Sequence, residues 1–393
     1  MRILFLSSWF PHPPDNGSKL RILNLLRQLA AEHSLTLLSL SPEPARDAAS
    51  AGALRDCCQR LAVVREPPYA PSTPRALAGL FAGPPRALSS TYSREMERLL
   101  WRELERGYDL LIASELGTML YALAAQGIPR LLDDAEVRLF EPGGPALARL
   151  RLGLTRLKLA HFLRRHATAF RAWTVVSHLE RESLLALAPN LGPVWVIPNG
   201  VEAERYLGDY GPPEPDSLIY PGALTYGPNR DAMVYFLQEI FPRVRAARPA
   251  ARLRITGPSD ATAAARLPLG EGVELTGYLP DVRPALAQSA VCVCPLRHGA
   301  GSRIKVLESL ALGTPVVATT KGAEGLAVTP GHDILLADEP GAFAEAVVEV
   351  LASPERRRAL GARGRALVRE RYDWGVIGPQ VRTLAALAAG RAS

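Results

Sequence analysis

The sequence predicts an α/β protein built on parallel β-sheet, and three observations carry that prediction. Short apolar runs alternate with helical patterns along most of the chain, the order that a parallel sheet covered by helices requires. At 393 residues the chain exceeds one typical domain and suits two or three. Its 48% apolar and 22% charged residues are those of an ordinary globular protein with a sizeable core, which excludes a disordered chain.

The elements follow in order. Residues 3–6 form a first apolar strand ending in Ser7-Ser8, and the Pro-, Asp- and Gly-rich loop 9–17 leads to an amphipathic helix over 19–32. No G-x-G-x-x-G follows that strand, so a dinucleotide fingerprint is missing. Further strands are predicted at 35–40, 61–64, 110–113 and 130–133. Asp133, Asp134, Glu136 and Arg138 sit just past Leu131-Leu132, at the carboxyl end of the last of these, where open α/β sheets hold their ligands. A carboxylate there can position or deprotonate a hydroxyl, and Asp134 is the first choice; helix capping is the competing use.

From Leu147 to Arg171 the chain is rich in Arg and Leu, and Leu150, Leu154, Leu157, Ala160 and Phe162 recur at roughly helical spacing. The pattern describes an amphipathic basic helix, suited either to an anionic membrane surface or to packing on a core with a solvated basic face. His161 and His166 are not four apart and have no third ligand nearby, so no metal site is expected. A strand at 174–177, another opening at Val194, and a Pro- and Gly-rich linker over 208–216 come next. The second half repeats the α/β alternation, with strands at 218–224, 251–256, 273–280, 291–295, 315–318 and 334–336 and charged helices over 340–351 and 354–371.

Lys plus Arg exceeds Asp plus Glu by 46 minus 39, giving +7, which fits an anionic substrate, an anionic membrane surface or nucleic acid. Nucleic acid is disfavoured because the basic residues are not interleaved with stacking aromatics. The four cysteines, Cys57-Cys58 and Cys292-Val-Cys294, have neither metal-ligand nor secreted-disulfide spacing. The apolar run at the N-terminus is too short for a signal peptide and no stretch of eighteen apolar residues follows, so a cytoplasmic protein, in contact with membrane at most peripherally, is expected.

The densest chemistry lies between Gly299 and Gly325, which reads as glycine loop, helix, turn and buried strand. Gly299, Ala300, Gly301 and Ser302 allow close backbone approach to a ligand, Ser302 can cap the helix, and the N–H groups there attract an anion. Arg303 and Lys305 add positive charge at a helix end that itself prefers anions, an arrangement that suits a bound phosphate. Each charge can also be a solvated helix end, and Glu308 can be a surface partner of either.

Val306-Leu-Glu-Ser309 followed by Gly313-Thr-Pro-Val-Val-Ala318 resembles the nucleotide-sugar loop of the retaining family 4 glycosyltransferases, enzymes of the two-domain GT-B fold. Val194-Trp-Val-Ile-Pro-Asn-Gly-Val201 resembles the turn that ends the family's N-terminal domain. The resemblance implies two Rossmann-like domains facing across a cleft: an acceptor-side domain over 1–205, on which a C-terminal helix at about 375–393 packs back, and a nucleotide-sugar domain over 206–374. It further implies sugar transfer from a nucleotide diphosphate sugar to the hydroxyl of a glycan, lipid-linked or small-molecule acceptor, with retention, without a metal and with no cofactor. Arg303 and Lys305 would stabilise the leaving diphosphate and Asp134 would serve the acceptor. Glu308 would hold the donor ribose. Gly17, in a loop that with Arg21 resembles the family's glycine loop, would face donor and acceptor. Asn229, Arg230, His298 and the 299–302 loop would line the phosphates and sugar, and Gly277 and Tyr278 the nucleobase.

Three positions depart from the family pattern. Its first glutamate falls on Ala300, and two basic residues of the opening loop fall on Ala223 and Pro228. Two further classes therefore stay open: a nucleotide-sugar epimerase or hydrolase using the Asp133, Asp134 and Glu136 carboxylates, and a non-catalytic partner in polysaccharide assembly.

Overall fold

A computed structural model describes residues 1–69, 83–138, 146–299, 301 and 303–391. It divides into two compact units, Met1–Asn199 with Ile377–Ser393, and Gly200–Val376. The division falls before Gly200 rather than after 205, because Val201 pairs with Asp373 and its carbonyl accepts from the Trp374 N–H at 3.1 Å.

The first unit holds a seven-stranded sheet: β1 (Arg2–Ser7), β2 (Ser34–Ser41), β3 (Arg60–Arg65), β4 (Leu110–Ser114), β5 (Arg130–Asp133), β6 (Ala172–Val175) and β7 (Val194–Val196). Their order is β3-β2-β1-β4-β5-β6-β7, and every pairing is parallel. Central strands such as β1 and β4 are buried on both faces, which is why they read as continuous apolar runs rather than alternating ones. Register aligns Ser7, Ser114 and Asp133 in one row across β1, β4 and β5, so the residues that follow them emerge side by side at the sheet's carboxyl edge.

The first helix runs Gly17–Ala30, two residues earlier than the apolar spacing predicts, because Asn16 caps it by accepting from the Lys19 N–H at 2.9 Å. Gly17 thus occupies the first helical turn instead of the loop. In the C-terminal segment of this unit Arg382 pairs with Glu32 at 2.7 Å and with Gln28 at 3.1 Å.

The Ala146–Arg165 helix departs from the single apolar stripe that its spacing predicts. Leu159, Phe162 and Leu163 are buried on one side, whereas Leu150, Leu154 and Leu157 are 60–70% exposed. At 100° per residue those three lie on the opposite side, in line with exposed His161, Arg164 and Arg165. Among the described residues no helix is long and apolar enough to cross a membrane.

The second unit holds a six-stranded parallel sheet of order β10-β9-β8-β11-β12-β13, from β8 (Glu214–Pro221), β9 (Arg252–Thr256), β10 (Val273–Gly277), β11 (Ser289–Cys294), β12 (Val316–Ala318) and β13 (Leu335–Leu336). β8 begins inside the predicted linker, and Asp216 within it is held by Arg248 at 2.7 Å. Cys292 and Cys294 are free, fully buried residues of the central strand β11, packed as small apolar groups.

Candidate functional site

In the second unit the loops after β8, β9 and β11 converge. Gly257 has a φ of +120°, and a Cβ there would lie 2.7 Å from the backbone of Gly222. Gly299, at φ +96°, would put a Cβ 2.8 Å from the Pro228 ring. Both positions therefore require glycine, for conformation and for space. The Gly227–Tyr235 helix opens from the first of these loops, and the Ile304–Leu312 helix from the last.

Lys305 sits at the meeting point. Its Nζ donates to Tyr220 Oη and Asn229 Oδ1, both at 2.9 Å, and lies 4.1 Å from the centre of the Tyr220 ring. The Tyr220 hydroxyl in turn donates to Asn229 Oδ1 at 2.7 Å, and Asn229 Nδ2 donates to the Ala223 carbonyl at 2.9 Å. A side chain at Gly222 would collide with this group, its Cβ falling 2.7 Å from Lys305 Nζ. Burial lowers the Lys305 pKa. The ammonium is thus fixed by neutral partners at the carboxyl end of the sheet, with two of its three donors engaged.

Arg303 is placed differently from the open phosphate ligand that its sequence position suggests. It adopts a left-handed φ of +49° immediately before the helix, and its side chain is buried. Nε donates to the Lys321 carbonyl at 3.1 Å, Nη1 to Gly301 at 3.1 Å and Nη2 to Gly299 at 3.2 Å. Glu324 lies 3.6 Å away. The guanidinium pins the glycine loop to the 321–324 turn. Ala300 and Ser302 lie outside the described residues, and Arg303 takes the helix-cap position with no side-chain cap bond.

Glu308 pairs with neither cation; it accepts from the Tyr206 hydroxyl at 3.0 Å. Burial raises its pKa to about 7, against the Tyr206 hydrogen bond and the field of Lys305. Tyr206 lies 102 residues away and no local pattern signals it. His298 and Arg297 both meet Asp231, His298 at 3.3 Å, and Arg297 also covers the Tyr235 ring at 4.6 Å. The Arg230 guanidinium has no hydrogen-bond partner among the described residues. Gly277 is left-handed at φ +70°, and Tyr278 beside it is 56% exposed at the end of the edge strand β10.

The first unit has a second polar centre. Arg21 is 2% exposed; Nε and Nη2 grip the two oxygens of Asp133 at 3.0 and 2.7 Å, and Nη1 reaches the Ile197 carbonyl and Asn199 Oδ1 at 2.9 and 3.0 Å. Burial opposes its charge, yet Asp133 and Asp134 prevail and raise its pKa. Arg21 is therefore a buried anchor rather than a loop residue facing a ligand. Asp133 also accepts from Thr174 Oγ1 at 2.6 Å, so it is fully committed.

Asp134 is left-handed at φ +55° and its N–H donates to Thr174 Oγ1 at 3.0 Å. It is 9% exposed, and its Oδ1 is buried without a partner. Burial raises its pKa to about 6 against the pull of Arg21. Glu115, unnoticed in the sequence, is the neighbouring carboxylate: it follows β4 at φ +65°, accepts from Trp9 Nε1 at 3.1 Å, and is raised to about 7 by burial and by Asp134. Among the described residues no cluster of three His, Cys, Asp or Glu has metal-binding geometry.

Residues 215–353 match the family model described as glycosyl transferases group 1. The match lies within the second unit. A GDP-mannose-dependent monoacylated alpha-(1-6)-phosphatidylinositol monomannoside mannosyltransferase of Corynebacterium glutamicum is 31% identical over 160 residues, 38% of this chain and 42% of that protein. A phosphatidyl-myo-inositol mannosyltransferase of Propionibacterium freudenreichii is 34% identical over 155 residues, 37% of each. The chain thus spans about two fifths of the length of these curated relatives. Among solved structures, HepE from Anabaena in complex with UDP and glucose superposes with a TM-score of 0.69 at 16% identity, covering 98% of this chain and 100% of that one. Sucrose-phosphate synthase from Thermosynechococcus elongatus gives 0.73 at 18%, covering all of both chains. These likenesses establish the fold, GT-B with two Rossmann-like parallel-sheet domains.

Proposed function

We propose that this protein transfers a sugar from a nucleotide diphosphate sugar to an acceptor hydroxyl, in the synthesis of a polysaccharide, glycolipid or other glycoconjugate. One observation carries the reading: within the family-matched segment, an ammonium is held rigidly beside a glycine-constrained loop at the carboxyl ends of β8 and β11. That is where open α/β sheets hold phosphates. Lys305 and the amide groups opening the Ile304–Leu312 helix would stabilise the departing diphosphate as its charge grows, without a divalent ion. Arg303 would act by holding the loop in shape. Glu308 would hold ribose hydroxyls and Tyr278 would stack on the base; the acceptor oxygen would bond to the anomeric carbon on the face that the diphosphate leaves and pass its proton to the departing phosphate, so that configuration is retained.

The mannosyltransferase relatives suggest a lipid-linked acceptor and a GDP donor, whereas HepE was solved with UDP. The exposed Leu150, Leu154 and Leu157, on a helix with no acidic residue, would bring the enzyme to an anionic cytoplasmic leaflet. A second reading, nucleotide binding without transfer, is favoured by the Arg303 guanidinium, whose hydrogen bonds go to loop carbonyls.

Thermal-shift titration with nucleoside diphosphates and their sugars tests the site, in wild type, Lys305→Met, Arg303→Ala and Glu308→Ala. A stabilising nucleotide whose effect Lys305→Met and Glu308→Ala both weaken names the donor. No shift at about millimolar ligand refutes the reading. Donor binding with no label transferred to any glycolipid or glycan acceptor leaves the second reading in place.

A further inference from the structure

Tyr206 and Glu308 form a polar pair that packing alone does not require. Tyr206 ends the Ala203–Tyr206 turn, and its ring lies against the apolar cluster that holds Val201, Leu286 and Leu307. A phenylalanine ring would fill that space equally well, so what distinguishes the tyrosine is the bond its hydroxyl donates to Glu308 Oε1 at 3.0 Å. The turn that carries it is fastened at both ends. Arg283 grips the two oxygens of Asp281, each at 2.8 Å, and donates its remaining Nη1 to the Arg205 carbonyl at 2.6 Å. At the other end the Val201 N–H donates to the Tyr372 carbonyl at 2.8 Å. Glu308 Oε2 has no hydrogen-bond partner among the described residues, and Lys305, one turn earlier on the same helix, directs its bonds to Tyr220 and Asn229 instead.

We propose that Tyr206 is a positioning residue of the donor site: its hydroxyl takes one oxygen of Glu308 and leaves the other to the ribose hydroxyls of a nucleoside diphosphate. The inference rests on the transferase reading, in which Glu308 holds ribose. A carboxylate with one oxygen already fixed has less freedom to lose when the second accepts from a ligand. The same bond governs its charge. Burial pushes Glu308 up to about 7, while Tyr206, Lys305 on its own helix and Arg283 on the Arg283–Ala287 helix pull it down against Asp281; the Cys292 thiol of β11 lies within its field as well. Burial and the charge of Glu308 raise the Tyr206 pKa, so the hydroxyl remains a donor. Ionised Glu308 accepts from a ribose hydroxyl through a charge-assisted bond, and protonated Glu308 through a weaker one. Ribose recognition is therefore gained as pH rises through about 7, and without the Tyr206 hydroxyl it is gained only at higher pH.

Isothermal titration calorimetry of the full chain with GDP and UDP, each against its 2′,3′-dideoxy counterpart, tests the proposal at about pH 6, 7.5 and 9. The ratio of the two affinities isolates the ribose hydroxyls, because the diphosphate's own titration is common to both ligands. In wild type the better-bound nucleotide should exceed its dideoxy form about tenfold at pH 7.5 and about threefold or less at pH 6. Tyr206→Phe, which keeps the ring, should cut the ratio at pH 7.5 to about threefold or less and regain it by pH 9. Glu308→Gln should leave a small ratio that pH does not move. A wild-type ratio near one, an unchanged profile in Tyr206→Phe, or an equal loss at every pH in that variant would overturn the proposal, and nucleotide binding would still uphold the transferase reading. If neither nucleotide binds at about millimolar concentration, both are refuted.

Discussion

Arg21→Leu should destabilise the first unit by about 3–5 kcal/mol. The guanidinium makes two hydrogen bonds to the Asp133 carboxylate and two to neutral oxygens of Ile197 and Asn199, all between 2.7 and 3.0 Å. Bonds to a charged group contribute about 1.5–3 kcal/mol and neutral ones about 1 kcal/mol, against which stands the cost of burying the guanidinium. The deletion leaves Asp133 with the Thr174 hydroxyl as its one remaining side-chain partner, in a site where its side chain is 3% exposed. An unpaired buried carboxylate, more than the lost pair, makes the variant weak. The double variant Arg21→Leu/Asp133→Leu should therefore recover at least about 2 kcal/mol relative to the sum of the singles. Urea unfolding followed by tryptophan fluorescence reads this unit well, because Trp9, Trp101, Trp173 and Trp195 belong to it and only Trp374 to the other. A single-variant loss below about 1 kcal/mol, or strict additivity of the two substitutions, would refute the reasoning.

Gly361→Ala, in the Pro354–Leu367 helix, should destabilise despite the helix propensity it gains: that gain is about 1 kcal/mol, but the new Cβ falls 2.1 Å from the Gly313 carbonyl, and overpacking against backbone costs about 1–3 kcal/mol or more. A raised melting temperature would contradict it. Glu308→Gln should stabilise the second unit increasingly with pH. The folded pKa of about 7 exceeds the unfolded value of about 4.3, so wild type loses stability as pH rises between them while the amide does not. The difference should reach about 1–3 kcal/mol at pH 8 and shrink towards pH 5, checked by denaturant unfolding at both. Replacing Leu150, Leu154 and Leu157 together by Ser should cut co-sedimentation with anionic vesicles at least about tenfold without lowering the melting temperature, since these side chains are exposed.

Fold class was legible because parallel strands covered on both faces leave an unmistakable trace: residues 3–6 and 110–113 are apolar without interruption, and both lie in buried strands. The exposed leucines of the Ala146–Arg165 helix show where such reading ends. Periodicity establishes that Leu150, Leu154 and Leu157 share a face, but not that anything covers it, and here the core contacts come from Leu159, Phe162 and Leu163 on the other side.

The site was legible in proportion to how local its chemistry is. Lys305 and Glu308 follow a glycine loop by a few residues, and their spacing alone places them near one mouth. Their partners do not announce themselves: Tyr220 is 85 residues from Lys305, and Glu115 reaches Asp134 only because β4 and β5 are neighbours in register. Arg303 is the instructive case. A positive charge entering a helix argues for an external anion when the side chain points outward. A left-handed residue instead turns its side chain back on the preceding loop, and the Gly299 and Gly301 carbonyls, exposed by their own positive φ, become the acceptors. Two basic residues two positions apart thus divide the work. Arg303 shapes the loop, and Lys305, held by Tyr220 and Asn229 with one donor left over, supplies the charge that a diphosphate would meet.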